Sequence, residues 1–183
     1  PKVERHVTGL LVQLGMPSAQ LRIEVAPAGE LRADGADLIR FLFTANRNTS
    51  LQPIEKVASG GEMSRLMLSL KALVAAHAQL PTIIFDEIDT GVSGAIADKM
   101  GEIITNLSGS LQVVNITHLP QVASKGDHHF LVYKEEAPEG TLTRIRKLST
   151  EERVAEIAKM LSGSAVTAAA TEQARLLLGM EKL

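Results

Sequence analysis

Apolar residues recur at helical spacing near the start of the chain. Val3, Val7, Leu10, Leu11 and Leu14 fall on one side of a helix predicted over residues 2–15, which Gly15 and Pro17 bring to an end. The period then changes to two. Leu21, Ile23 and Val25 alternate with polar residues, and the run LIRFLF predicts a second strand over 37–44, with a polar turn over 46–52. The helical period returns over 62–78, where Met63, Leu66, Met67, Leu70, Leu73 and Val74 mark one face, and Pro81 breaks it. TIIF (82–85) predicts a short buried strand, 94–107 a helix and 111–116 another buried strand. A strand–helix–strand order implies parallel pairing through a right-handed crossover, so the predicted class is α/β, mainly a parallel sheet flanked by helices. HHFLVYK (128–134) and TLTRIRKL (141–148), with EAPEG between them, predict a β-hairpin. Ser149-Thr150-Glu151-Glu152 has capping-box spacing and opens a helix to about Leu161, followed by an Ala-rich helix over 166–178. There is no internal repeat, low-complexity tract or linker.

Composition narrows the functional classes. Hydrophobic residues make up 45% of the 183 positions but aromatics only 3%, so the core is built from Leu, Ile, Val, Ala and Met, and a stacking platform for single-stranded nucleic acid is not expected. Met63, Met67 and Met160 read as core fillers. The formal charge of −2 provides no global field toward DNA, so any DNA contact has to come from a local patch or another segment. With no cysteine, disulfides and thiolate metal sites are excluded, in keeping with a cytoplasmic protein. Neither a membrane-length apolar run nor a signal-peptide pattern is present, and no membrane partner is expected. The chain opens on Pro1 in helix-like sequence, as a piece of a longer protein would.

Three short patterns carry candidate chemistry. Ser59-Gly60-Gly61-Glu62 precedes the helix over 62–78. Ser59 and Glu62 fit a capping box; the two glycines also let a ligand approach the unpaired N–H groups of the first turn, which with the helix dipole suit a phosphate. Asp86-Glu87 follows the apolar strand 82–85. The acids there are either solvated residues after a core strand or a Walker B-like pair, Asp86 holding Mg²⁺ directly or through water and Glu87 orienting the attacking water. His118 follows the strand over 111–116, on the same carboxyl-end side. A structural role and a hydrogen bond to a γ-phosphate both fit it.

Order and spacing join the three. The series SGGE, strand plus Asp-Glu, Asp89-Thr90-Gly91, then strand plus His118 resembles the signature motif, Walker B motif, D-loop and switch histidine of ABC-type ATPases. The wording VASGGEMSRLMLSLK (57–71), PTIIFDEIDTGVSG (81–94) and ITHLPQVA (116–123), supported by LGMPSA, FLFTAN, VYK and ERVAEIAKML, resembles more narrowly the RecN family of bacterial repair ATPases related to SMC proteins, across nearly the whole chain. Transporter ATPases typically carry Gln where Glu62 stands and lack the DTGVSG wording. Arg47-Asn48 departs from the small or Gly-containing loop expected there.

The resemblance implies the C-terminal lobe of an ABC/SMC-type P-loop ATPase head over 17–183, with 1–16 as the end of a returning coiled-coil arm. It implies ATP and Mg²⁺ as cofactors, Asp86 at the metal, Glu87 and His118 as catalytic groups, and Ser59, Gly60, Gly61 and Glu62 at the γ-phosphate of a nucleotide held by a second head. Asp89 would lie in the D-loop between the two sites. The sequence contains no G-x-x-x-x-G-K-[ST], which in the family belongs to an N-terminal lobe, so the chain alone is not expected to hydrolyse ATP. The implied partners are that N-terminal lobe, a second head in an ATP-sandwiched homodimer, and DNA during double-strand-break repair in the bacterial cytoplasm at the nucleoid. A structural DNA-tethering head gated by ATP and a transporter's nucleotide-binding subunit are the alternatives.

Outside these motifs, His128 and His129 lack neighbours at ligand spacing and, placed on a strand, would face opposite sides. Lys134, Arg144, Arg146 and Lys147 make a basic group on the hairpin, read as a solvated face rather than a phosphate contact. Arg65 stands on the first turn of the signature helix, where it could report nucleotide state to the arm.

Overall fold

A computed structural model describes residues 1–180 apart from 58, 79, 139 and 164. Ala58 of the VASGGE wording and Glu139 of the EAPEG turn therefore lie outside the described residues. The chain forms two compact units, Pro1–Ile116 and Thr117–Leu183.

The first unit begins with α1 (Lys2–Gln13), whose apolar stripe places Val7 and Leu11 in the core with no exposed surface. Gly15, at φ 76°, turns the chain out of the helix, as the sequence predicts. β1 (Gln20–Arg32) and β2 (Gly35–Thr44) form an antiparallel ribbon, with Leu21 opposite Phe43 and Val25 opposite Ile39. Only its base is covered. Leu21 and Phe43 are buried, whereas Val25, Leu31 and Ile39 are exposed, so the strands run farther than burial alone would have indicated. β3 (Gln52–Pro53) pairs briefly with β2 and leads through a 3-10 turn, Ile54–Lys56, toward α2 (Gly60–Ala78). Val7, Leu11, Met16, Ala19, Leu21, Phe43 and Leu66 make one core, joining α1, the ribbon base and α2.

β4 (Thr82–Asp86), α3 (Gly94–Ser108) and β5 (Gln112–Ile116) form the expected parallel unit, in register from Thr82 opposite Gln112 to Asp86 opposite Ile116. Phe85, Ala97 and Met100 are fully buried. The class is α/β as expected, but less of it is parallel than the sequence pattern predicts. Among the described residues, parallel pairing is confined to β4 and β5, and the three-stranded sheet and the other two-stranded sheet are antiparallel. The apolar runs marked the strands but not their neighbours, and Ile84, Val114 and Ile116 leave one face of the parallel pair bare.

In the second unit, α4 (Pro120–Ala123) starts on a proline suited to a first helical turn. The hairpin β6 (Phe130–Ala137) and β7 (Gly140–Lys147) follows, with Val132 opposite Ile145. His128 and His129 precede β6 instead of lying on it, so alternation along a strand does not separate them. α5 (Thr150–Ser162) and α6 (Ala168–Leu177) pack through Val154, Ile157, Ala158, Ala170 and Ala174. Among the described residues no helix is long and apolar enough to cross a membrane.

Candidate functional site

Asp86 closes β4 with an exposed side chain. The parallel ladder extends one step beyond it, the Glu87 N–H donating to the Ile116 carbonyl at 3.0 Å. Glu87 itself stands at φ 45°, the one non-glycine residue at positive φ among the described residues. For a side chain with a Cβ this conformation costs roughly 1–2 kcal/mol, and surrounding contacts hold it. The Glu87 carbonyl accepts from the Thr90 N–H at 3.2 Å and the Thr90 hydroxyl at 2.9 Å, and the Val92 N–H donates to the Asp89 carbonyl at 3.3 Å. Ile88 and Asp89 turn inward and are buried, so the loop is anchored from beneath while the side chains of Asp86 and Glu87 stay in solvent.

The same loop meets the start of α2. Gly91, at φ 77°, lies backbone to backbone with Gly61, and a Cβ built on Gly61 would sit 2.6 Å from the Gly91 carbonyl oxygen. The reverse addition, a Cβ on Gly91, would come 3.1 Å from the Gly61 nitrogen. Two glycines are thus required here for a reason the sequence did not reveal: the two loops touch through their main chains. Gly91 falls within the DTGVSG wording, but nothing in one sequence pairs it with Gly61, thirty positions earlier. Ser59 and Gly60 are exposed, and the Met63 N–H donates to the Ser59 carbonyl at 3.0 Å. Among the described residues the N–H groups ahead of Met63 have no hydrogen-bond partner, and free N–H groups at a helix start suit an anion. Glu62 is half-buried and lines a cavity of about 190 Å³ with Phe43, Asn46 and Lys56.

Arg65 links this turn to α1. Its Nε donates to the Gly61 carbonyl at 3.0 Å and its Nη1 to the Leu14 carbonyl at 3.3 Å.

The structure thus brings together 59–62, 86–87 and 89–91 in the first unit. His118 belongs to the second unit, two positions beyond the end of β5, with an exposed side chain. The preceding Thr117 hydroxyl accepts from the Leu119 N–H at 3.0 Å and shapes the turn into α4. Farther along, Arg153 of α5 donates from Nη2 to the Gly126 carbonyl at 2.7 Å, and the His129 carbonyl accepts from the Leu148 N–H at 2.9 Å. Burial, and then the charge of Arg153, lower the His129 pKa, against the nearby Ala123 and Gly126 backbone, which acts to raise it. Neither Arg153 nor His129 was legible as a brace for this loop, since both depend on contacts between segments far apart in sequence.

Half of the basic group on the hairpin is engaged internally. Arg144 bonds Glu135 at 2.9 Å and Arg146 bonds Glu152 at 2.6 Å. Among the described residues no group of three or more His, Cys, Asp or Glu is arranged to hold a metal. The exposed pair Asp86 and Glu87 nevertheless fits Mg²⁺, which usually binds one or two carboxylates and completes its shell with water and phosphate oxygens.

The fold is similar to that of solved SMC heads. It matches a solved chain described as "Structural biochemistry of ATP-driven dimerization and DNA stimulated activation of SMC ATPases", with a TM-score of 0.61 at 17% identity, covering 89% of this chain and 93% of that one. It also matches an Smc head domain with a coiled coil and joint from Pyrococcus yayanosii, with a TM-score of 0.66 at 19% identity, over 87% of this chain and 29% of that one. In sequence the chain is similar to the C-terminal part of RecN over nearly its whole length. It is 39% identical to the DNA repair protein RecN of Vibrio cholerae serotype O1 over 178 residues, 97% of this chain. The chain spans about a third of the length of the curated relatives it matches, 32% in the V. cholerae case. No protein-family profile matches it.

Proposed function

We propose that this chain is the C-terminal lobe of an ATP-hydrolysing head in a RecN-like DNA repair and recombination protein. The observation that carries the reading is Glu87, held at positive φ at the end of a parallel strand with its carboxylate in solvent. Non-glycine residues in sparsely populated backbone regions cluster at functional sites. In this reading Glu87 orients the attacking water and accepts its proton, and His118 hydrogen-bonds the γ-phosphate. Asp86 would hold Mg²⁺, directly or through water. When bound, the ion neutralises charge developing on the phosphate oxygens.

Ser59, Gly60, Gly61 and Glu62 receive the γ-phosphate of a nucleotide held by a second head, through the open N–H groups of α2. Asp89 is fully buried, so its carboxylate shapes the D-loop from inside, and the exposed Thr90 and Gly91 are what the loop offers to a facing head. An N-terminal lobe supplies the phosphate-cradling loop. Parallel strands are ordinarily covered on both faces, and the bare Ile84, Val114 and Ile116 provide apolar surface for that lobe. Residues 1–16 then enter from a coiled-coil arm. Because the nucleotide is the bridge between heads, ATP binding is linked to dimerisation and hydrolysis to release. DNA engagement at the nucleoid belongs to the intact protein.

The deciding experiment compares wild type with Glu87→Gln in the intact protein, measuring ATP turnover and ATP-dependent dimerisation. Loss of a general base lowers turnover by about 10²–10⁴-fold, while the ATP-bound dimer persists or accumulates. Unchanged turnover would remove Glu87 from the chemistry, and no ATP-dependent dimer in either protein would overturn the sandwich.

A further inference from the structure

Arg65 is half-buried one turn into α2. Its guanidinium joins two backbone carbonyls, that of Gly61 at 3.0 Å, four positions back, and that of Leu14 at 3.3 Å, fifty-one positions back. Among the described residues it forms no ion pair, so its charge faces main-chain oxygens and not a carboxylate. Leu14 caps the C-terminal end of α1. Carbonyls at such an end lack intrahelical partners and attract a cation, which suits a guanidinium there. The planar fork fixes the separation and direction of both oxygens at once, something a single ammonium does not do. The last turn of α1 is confined on another side as well. Leu14 has no exposed surface, and a Cβ built on Gly15 would lie 2.9 Å from Ile96 Cδ1 of α3. At the other end of this line of contacts, Gly61 touches Gly91.

We propose that Arg65 is a positioning residue that makes the end of α1 and the Gly60-Gly61 turn move as one piece. A shift of the turn as it closes on a phosphate is carried through the guanidinium to the Leu14 carbonyl. A displacement of α1 likewise alters how the turn presents its N–H groups, since coupling between two sites is reciprocal. The inference rests on the reading of the turn as phosphate-binding.

Hydrogen exchange in the intact protein tests it. A Glu87→Gln background is used so that ATP with Mg²⁺ persists, and Arg65 is compared with Arg65→Met and Arg65→Lys. With Arg65 present, nucleotide slows amide exchange by about tenfold or more in both 60–65 and 10–16. In Arg65→Met the slowing survives at 60–65 and falls to within about twofold at 10–16. Arg65→Lys, reaching one carbonyl, restores only part of it, and this variant carries the test if Arg65→Met does not fold. A purely structural role predicts faster exchange in both segments without nucleotide and an unchanged ATP effect; that result overturns the inference, as does full slowing at 10–16 in both variants. If nucleotide slows neither segment with Arg65 intact, the phosphate-binding reading fails and this inference fails with it.

Discussion

Two helices in this chain start with the same spacing and do different things with it. Ser149 and Glu152 close the start of α5 with a capping box. The Ser149 hydroxyl accepts from the Glu152 N–H at 3.3 Å, and the Glu152 carboxylate accepts from the Ser149 N–H at 2.8 Å. The other carboxylate oxygen takes Arg146 at 2.6 Å. Ser59 and Glu62 frame the start of α2 with glycines between them, where α5 has Thr150 and Glu151. There Gly61 presses its backbone against Gly91, and Ser59 and Gly60 stay exposed. The outer residues of an S-x-x-E pattern specify a helix start. On the proposed function, the inner two separate a start filled by its own side chains from one that takes a phosphate.

The sharpest way to break the contrast is Gly61→Ala. Its Cβ would lie 2.6 Å from a backbone oxygen, which no rotamer change relieves. Either the loop or the helix start has to shift, at a cost of about 1–3 kcal/mol for overpacking. The expected outcome in the intact protein is loss of ATP-dependent dimerisation together with a lowered thermal midpoint. Gly60→Ala is the control for stability alone, because a Cβ at Gly60 meets no protein atom within 4 Å; a similar fall in its thermal midpoint would mean that backbone flexibility, not the Gly61–Gly91 contact, sets the stability of the turn.

A milder pair of changes separates the two starts by function. Ser149→Ala removes a cap worth about 1 kcal/mol and should lower the urea midpoint while leaving ATP turnover per folded molecule unchanged. Ser59→Ala should do the reverse, lowering turnover or ATP-dependent dimerisation by about tenfold, the equivalent of one charge-assisted hydrogen bond of about 1.5–3 kcal/mol taken at its low end, with little change in stability. Equal stability losses with no change in turnover would make residues 59–62 a second ordinary cap.

How much of this was legible follows from which signals are local. Helical period marked α1, α2 and α3 to within a few residues, because one apolar face per helix is enough to show it. The box at Ser149 was readable from two residues in the same turn. SGGE and the Asp-Glu loop were each readable as candidate segments, and the fold joins them where Gly61 meets Gly91. What stayed hidden was nonlocal. The strand–helix–strand order already implied that β4 pairs parallel with β5, but nothing in the residues of β1 states that it pairs antiparallel with β2. The Gly61–Gly91 contact, the Arg65 bridge and the burial of Asp89 likewise arise from segments brought together by folding. The positive φ of Glu87 could not be foreseen at all, since Glu carries no preference for it.

The smallest predicted effect concerns acid, and it falls on the α5 side. Burial lowers the His129 pKa below its ordinary 6.5, with the charge of Arg153 acting in the same direction. The unfolded chain therefore takes up this proton at higher pH than the folded one. The stability contributed by neutral His129 is fully present above about pH 6.5, declines as pH falls below that value, and is gone once pH has passed below the folded pKa. Glu152 adds a second window. The Ser149 N–H, and then Arg146, lower its pKa below 4.5, so its contribution is present above that value and lost as pH falls through the folded pKa. Urea midpoints for wild type and His129→Gln at pH 7.5 and 5.5 check the first window. The wild type should lose a fraction of a kcal/mol between them and the variant less. A loss of the same size in both would place the acid sensitivity elsewhere, and the brace around Gly126 would then owe its strength to Arg153 alone.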